Sequence, residues 1–190
     1  MLLEPLLFKG YHVLQYNSRG VGKSSGWPSF TGLSEAKDLQ DVVAWAMQKI
    51  PDVRALTIMV SFMFSYLSPE KLIPLQGYSH GSLIASMHPV LPSIKTSHLL
   101  LSYPLGPRSW LTLFHSSSYT SALEALLKHS NSNVLVMFGD KDEFTSISSY
   151  QKWASGLNGN VEVLEVENAS HFWRGRSARQ LAAAVRNWLV

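Results

Sequence analysis

Apolar and polar positions switch between two periods along this chain, and the switches mark out its elements. Tyr11–Tyr16 (YHVLQY) is a β-rich run that predicts a strand, stopping at NSRGVGKSSG, a turn-rich loop with three glycines. From Leu33 to Ile50 the period becomes helical. Leu39, Val42, Val43 and Ala46 recur at that spacing, Ser34 with Lys37 and Asp38 offers a loose cap, and Pro51 ends the run. VRALTIM (53–59) reads as a buried strand, SLIASMH (82–88) as a helix closed by Pro89, and HLLLSYP (98–104) as a short apolar strand. TSALEALLKHS (120–130) is helical. NVLVMFGDKDEF (133–144) is a continuous apolar run entering an acidic loop. SISSYQKWASGL (146–157) suits a helix, NVEVLEVENASHFW (160–173) an alternating strand with a loop, and SARQLAAAVRNWLV (177–190) a terminal amphipathic helix.

Strands alternating with helices predict an α/β layer fold with a mainly parallel sheet, whose ligands bind outside the carboxyl ends of the strands. With 190 residues the chain makes one domain, 46% hydrophobic and 15% charged, hence globular. The net charge of +3 is scattered without a basic stripe, so nucleic acid is not an expected partner. The absence of cysteine excludes disulfides, thiolate catalysis and Cys-based metal sites. MLLEPLLFKG has no basic start, so no signal peptide is expected. The most apolar run, Ala55–Leu67, has 13 residues, well below the ~20 a spanning helix needs. These features predict a soluble, cytoplasmic protein with no membrane span.

The chemistry centres on Gly77-Tyr78-Ser79-His80-Gly81, a Gly-x-Ser-x-Gly pentapeptide. Glycines flanking a serine remove side chains where strand and helix approach, so the serine can occupy a strained turn with its hydroxyl exposed. A serine hydroxyl needs a base, normally an imidazole oriented by a carboxylate. The required chain order of serine, acid, histidine is met by Ser79, Asp142 and His171, with Asp140 and Glu143 as rival acids. All follow predicted strands, so they should gather at one sheet edge. His12, His88, His98, His115 and His129 lack such a context and read as surface or packing residues. In NSRGVGKSSG only one residue separates Gly20 from Gly22-Lys23, where a phosphate loop needs four. Arg19 reads either as a brace for the loops or as a solvated charge.

GYHVLQYNSRGVGKSSG, the elbow GYSHGS, the acid loop VLVMFGDKDEF and NASHFWRG together resemble the α/β-hydrolase superfamily. The likeness is closest to its small, lidless, intracellular hydrolases with an Asn-x-Arg-Gly-Val-Gly-x-Ser motif, and runs from about Gly10 to the C-terminus. It implies Ser79 as nucleophile, Asp142 as acid, His171 as base, the backbone amide of His80 as one oxyanion donor, and no metal or organic cofactor. The substrate implied is an ester, thioester, amide or peptide. Trp27, Phe30, Trp110 and Phe172 could line an apolar acyl pocket.

Two departures accompany the resemblance. The family's first strands, and the loop that supplies its second oxyanion amide, have no counterpart before Tyr11, and MLLEPLLFKG resembles the end of the family's first helix. The expectation is an N-terminally truncated fold. The second departure is Val60–Gln76: Pro74 sits where a buried central strand should run, and excising these 17 residues joins VRALTIM directly to the elbow. Val-Ser and Gln have codons compatible with intron boundaries, so a translated retained intron from a eukaryote such as a fungus is one reading and a genuine surface insertion the other. Against the serine-hydrolase reading stands an alternative, a catalytically silent α/β-hydrolase-like fragment or binding module with an incomplete oxyanion hole.

Overall fold

Four strands pair in parallel in the order β1-β2-β3-β4: β1 (Ala55–Ile58), β2 (Lys95–Leu101), β3 (Ser132–Lys141) and β4 (Val161–Ser170). Neighbouring parallel strands need crossover connections. In the computed structural model, which describes residues 3–29, 31–60, 79–105 and 116–189, helices occupy these crossovers. They are α3 (His80–Ser86), α4 (Ser116–Lys128) and α5 (Ile147–Ala154), while α1 (Leu3–Phe8), α2 (Leu33–Lys49) and α6 (Arg176–Trp188) complete the set. No described helix is long and apolar enough to cross a membrane.

Side chains alternate across a strand, and the two sheet faces divide accordingly. Leu100, Val134, Val136 and Phe138 face a core built with Leu39 and Val43 of α2, Leu83 and Ile84 of α3, Leu123 and Leu126 of α4, and Tyr150 of α5. Leu99, Leu101, Leu135 and Met137 face the opposite core, closed by Leu181 and Val185 of α6, with Leu6 of α1 packed against it. Both faces are therefore covered, which is why β3 reads as a continuous apolar run and not an alternating one. Each fully buried Leu or Val contributes about 1.5–3 kcal/mol from removal of its surface from water.

The expected strand at Tyr11–Tyr16 does not form; that segment carries no ladder pairing. A β-rich run becomes a strand only where a neighbour accepts its backbone hydrogen bonds, and the edge strand β1 pairs with β2 alone among the described residues. The helix expected from Leu33 is observed, but Gly32 caps it at φ 74° with no side-chain hydrogen bond, and Ser34 lies inside it. The segment singled out at Val60–Gln76 lies outside the described residues except for Val60, which is buried.

His88 and His98 pack inside the protein, whereas His12 and His129 are exposed and His115 lies outside the described residues. His98 Nε2 donates to the His88 carbonyl at 3.0 Å and His88 Nδ1 to the Pro89 carbonyl at 2.8 Å. Burial pushes the pKa of His98 from 6.5 down to about 4, against the pull of its hydrogen bond to His88. The unfolded chain binds this proton first, so stability is intact above pH 6.5 and drains away as pH falls towards about 4. We expect thermal unfolding of the wild type to lose stability across that window more steeply than His98→Gln, by on the order of 3 kcal/mol at its acid end. Parallel pH profiles would contradict this account of His98.

Candidate active site

The approach of β3 to β4 builds the acid end of the site. An added Cβ at Gly139 would lie 1.9 Å from the Ala169 carbonyl oxygen, so only glycine allows these backbones to come so close. From that point the register slips: Gly139 pairs with Val166 but Lys141 with Ser170, so β4 spends four residues where β3 spends two. Asn168 takes up the excess at φ 55°. The bulge brings the loops that follow β3 and β4 together, and Asp142 meets His171 across them.

His171 Nδ1 donates to Asp142 Oδ2 at 2.7 Å, with the two side chains 7% and 0% exposed. This bond makes Nδ1 the protonated nitrogen of the neutral ring and leaves the basic lone pair on Nε2. The same carboxylate oxygen accepts the Tyr150 hydroxyl at 3.2 Å. The other oxygen accepts the backbone amides of Phe144 at 2.9 Å and Thr145 at 3.0 Å. Burial alone would raise the Asp142 pKa. The hydrogen bond from His171, the Phe144 amide, the charge interaction with His171 and the Thr145 amide outweigh burial and hold it below its ordinary value. The stabilisation from this depression is present above the ordinary value of 3.8 and lost as pH falls through the lower, folded-state value. Tyr150, fully buried and stacked on Phe138 at 4.4 Å, is held protonated by burial and by the Asp142 charge beside it.

The rival acids have other positions. Glu143 Oε2 accepts the backbone amide of His171 at 2.8 Å, which fixes the main chain of the histidine loop, not its ring. Asp140 lies at the end of β3 beside Lys141.

Ser79 stands at the same sheet edge. It precedes α3 with φ 68° and ψ −113°, a conformation that costs a non-glycine residue roughly 1–3 kcal/mol. Its amide donates to the Leu101 carbonyl at the end of β2 at 3.0 Å, and Ser82 Oγ donates to the same oxygen at 2.7 Å. Next in the chain, the Ser102 amide donates to the Met137 carbonyl of β3 at 2.8 Å, and the Ser102 hydroxyl accepts the Trp173 indole N–H at 3.1 Å. The end of β2 thereby ties the serine turn on one side to the histidine loop on the other. His80 and Gly81 are buried in the first turn of α3, whereas Gly77 and Tyr78 lie outside the described residues.

Further supports carried no motif in the sequence. Glu35, buried in α2, accepts the amide of Ser29 at 2.7 Å and its hydroxyl; Tyr119 donates to the Thr31 carbonyl. The turn they hold presses on His80: a Cβ at Gly32 would lie 2.9 Å from the imidazole. Arg19 is a brace, its guanidinium donating to both oxygens of Asp38 at 2.7 and 2.6 Å and tying the NSRGVGKSSG loop to α2. Trp27 is 88% exposed, Phe172 lies beside His171, and Phe30 and Trp110 lie outside the described residues.

Residues 3–61 match the family model of X-Pro dipeptidyl-peptidases (S15 family). No curated protein matches the chain. Among solved structures, an esterase of Pyrococcus furiosus is similar with a TM-score of 0.68 and 20% identity, over 98% of this chain and 72% of that one. An α/β serine hydrolase homologue from Coxiella burnetii gives 0.62 and 22%, over 92% of this chain and 67% of its own. A lidless α/β serine hydrolase from Xanthomonas campestris gives 0.59 and 19%, over 91% and 63%. The chain has the α/β-hydrolase fold: a parallel sheet flanked by helices on both faces.

Gly139→Ala should force β3 and β4 apart, separating Asp142 from His171 and destabilising the protein by about 3 kcal/mol or more. Denaturant unfolding measures it, and a variant as stable as wild type would overturn the close-approach argument.

Proposed function

We propose that the protein is a serine hydrolase that cleaves an ester, thioester or amide bond through Ser79, His171 and Asp142. The observation that carries this reading is the buried Asp142–His171 pair at the sheet edge where Ser79 occupies its strained turn. A carboxylate so deep in a protein is expensive unless used or fully bonded, and a strained non-glycine backbone needs surrounding structure to maintain it. The match of residues 3–61 to a peptidase family and the likeness to serine hydrolase and esterase structures support a hydrolase in general.

In this reading His171 Nε2 takes the Ser79 hydroxyl proton as Oγ attacks the substrate carbonyl carbon. The backbone amide of His80 donates to the oxyanion that develops. Asp142 orients the imidazole and stabilises its protonated form without taking the proton. The tetrahedral intermediate collapses, the bond to the leaving group breaks, and His171 returns the proton to that group. A water molecule then attacks the acyl-serine, giving its proton to His171 Nε2. Release of the acid restores the Ser79 hydroxyl.

A fluorophosphonate probe tests the assignment. It should label wild-type protein at Ser79, fail on Ser79→Ala, and react with Asp142→Asn more slowly by up to about 10⁴-fold. A wild-type protein that takes no label, or a Ser79→Ala variant that labels equally, would refute it.

A further inference from the structure

Three aromatic rings meet at the base of the candidate site, and the hydrolase reading gives two of them no task. Phe144 follows the acid by two residues, and Phe172 follows the histidine directly. The Phe144 ring packs against His171 with centroids 4.6 Å apart at 66°, and the Phe172 ring packs against it at 5.6 Å and 82°. The two phenylalanines meet each other edge to face at 6.1 Å. Both are pinned through the backbone, Phe144 by its amide on Asp142 Oδ1 at 2.9 Å and Phe172 by its amide on Ser170 Oγ at 3.3 Å. The guanidinium of Arg174 lies over the Phe172 ring, 5.3 Å from its centroid, and steadies that ring from the side. Phe144 is nevertheless 55% exposed, a large apolar surface held in a fixed place beside a base.

The position of these rings decides which half of a substrate they meet. The histidine that deprotonates the serine must later come within hydrogen-bond reach of the leaving oxygen to return the proton. The first carbons attached to that oxygen therefore lie against whatever surrounds the imidazole. Among the described residues, Phe144 and Phe172 are rings packed on that imidazole, within reach of the leaving-group side. Rings arranged edge to face present both faces and edges to a newcomer, and a third ring gains more from such a site than a saturated group of equal size.

We propose that Phe144 and Phe172 form a leaving-group subsite selecting esters of aromatic alcohols. This rests on the serine-hydrolase reading above. The reaction is hydrolysis: the acyl–oxygen bond breaks, the alcohol leaves with the proton from His171, and water supplies the hydroxyl of the released acid.

The test holds the acid constant and compares benzyl, cyclohexylmethyl and ethyl esters, whose alcohols are of similar acidity. Wild-type protein should turn over the benzyl ester with a kcat/KM about tenfold above the cyclohexylmethyl ester. That ratio should fall towards unity in Phe144→Leu and Phe172→Leu, which keep apolar bulk and remove the ring. Fluorophosphonate labelling is run on the same samples. Labelled protein that shows no benzyl preference, or a preference unmoved by both leucine variants, overturns the subsite while the hydrolase assignment stands. Protein that neither labels nor turns over any ester overturns the hydrolase reading and the subsite with it.

Discussion

The site depends on one close approach. At Gly139 the third strand passes so near the Ala169 carbonyl that no side chain fits between them. The two strands then fall out of register, and their following loops converge. The glycine is thus the point where a packing constraint becomes a chemical arrangement.

Convergence alone would be costly, because a carboxylate removed from water loses several kcal/mol of hydration. Asp142 recovers it through four donors: the amides of Phe144 and Thr145, the Tyr150 hydroxyl and His171 Nδ1. Three of them come from its own loop and α5, so the charge is held before the histidine contributes. On the other side of the sheet edge, Ser102 connects the serine turn to Trp173 and hence to the histidine loop. Hydrogen bonds thus run from the serine turn through the end of β2 to β3 and to the histidine loop.

The layer order, the helices and the edge on which Ser79, Asp142 and His171 lie were legible from periodicity and chain order, because both are local properties of the sequence. The buried carboxylate was legible only as a choice among three neighbours. Spacing cannot tell which carboxylate of Asp140, Asp142 and Glu143 turns inward; the geometry gives Glu143 the amide of His171 and Asp142 its ring. The supports from Glu35, Tyr119, Tyr150 and Ser102 were illegible, since each acts through a tertiary contact that leaves no period or motif. Tyr11–Tyr16 shows the converse. It has strand composition but lacks the paired neighbour that makes composition into a strand.

If the buried Asp142–His171 pair serves Ser79, proton NMR of the protein should show a far-downfield Nδ1–H resonance from His171 that is absent in Asp142→Asn and shifts when Ser79 is phosphonylated. A resonance that persists in Asp142→Asn, or one indifferent to modification of Ser79, would contradict it.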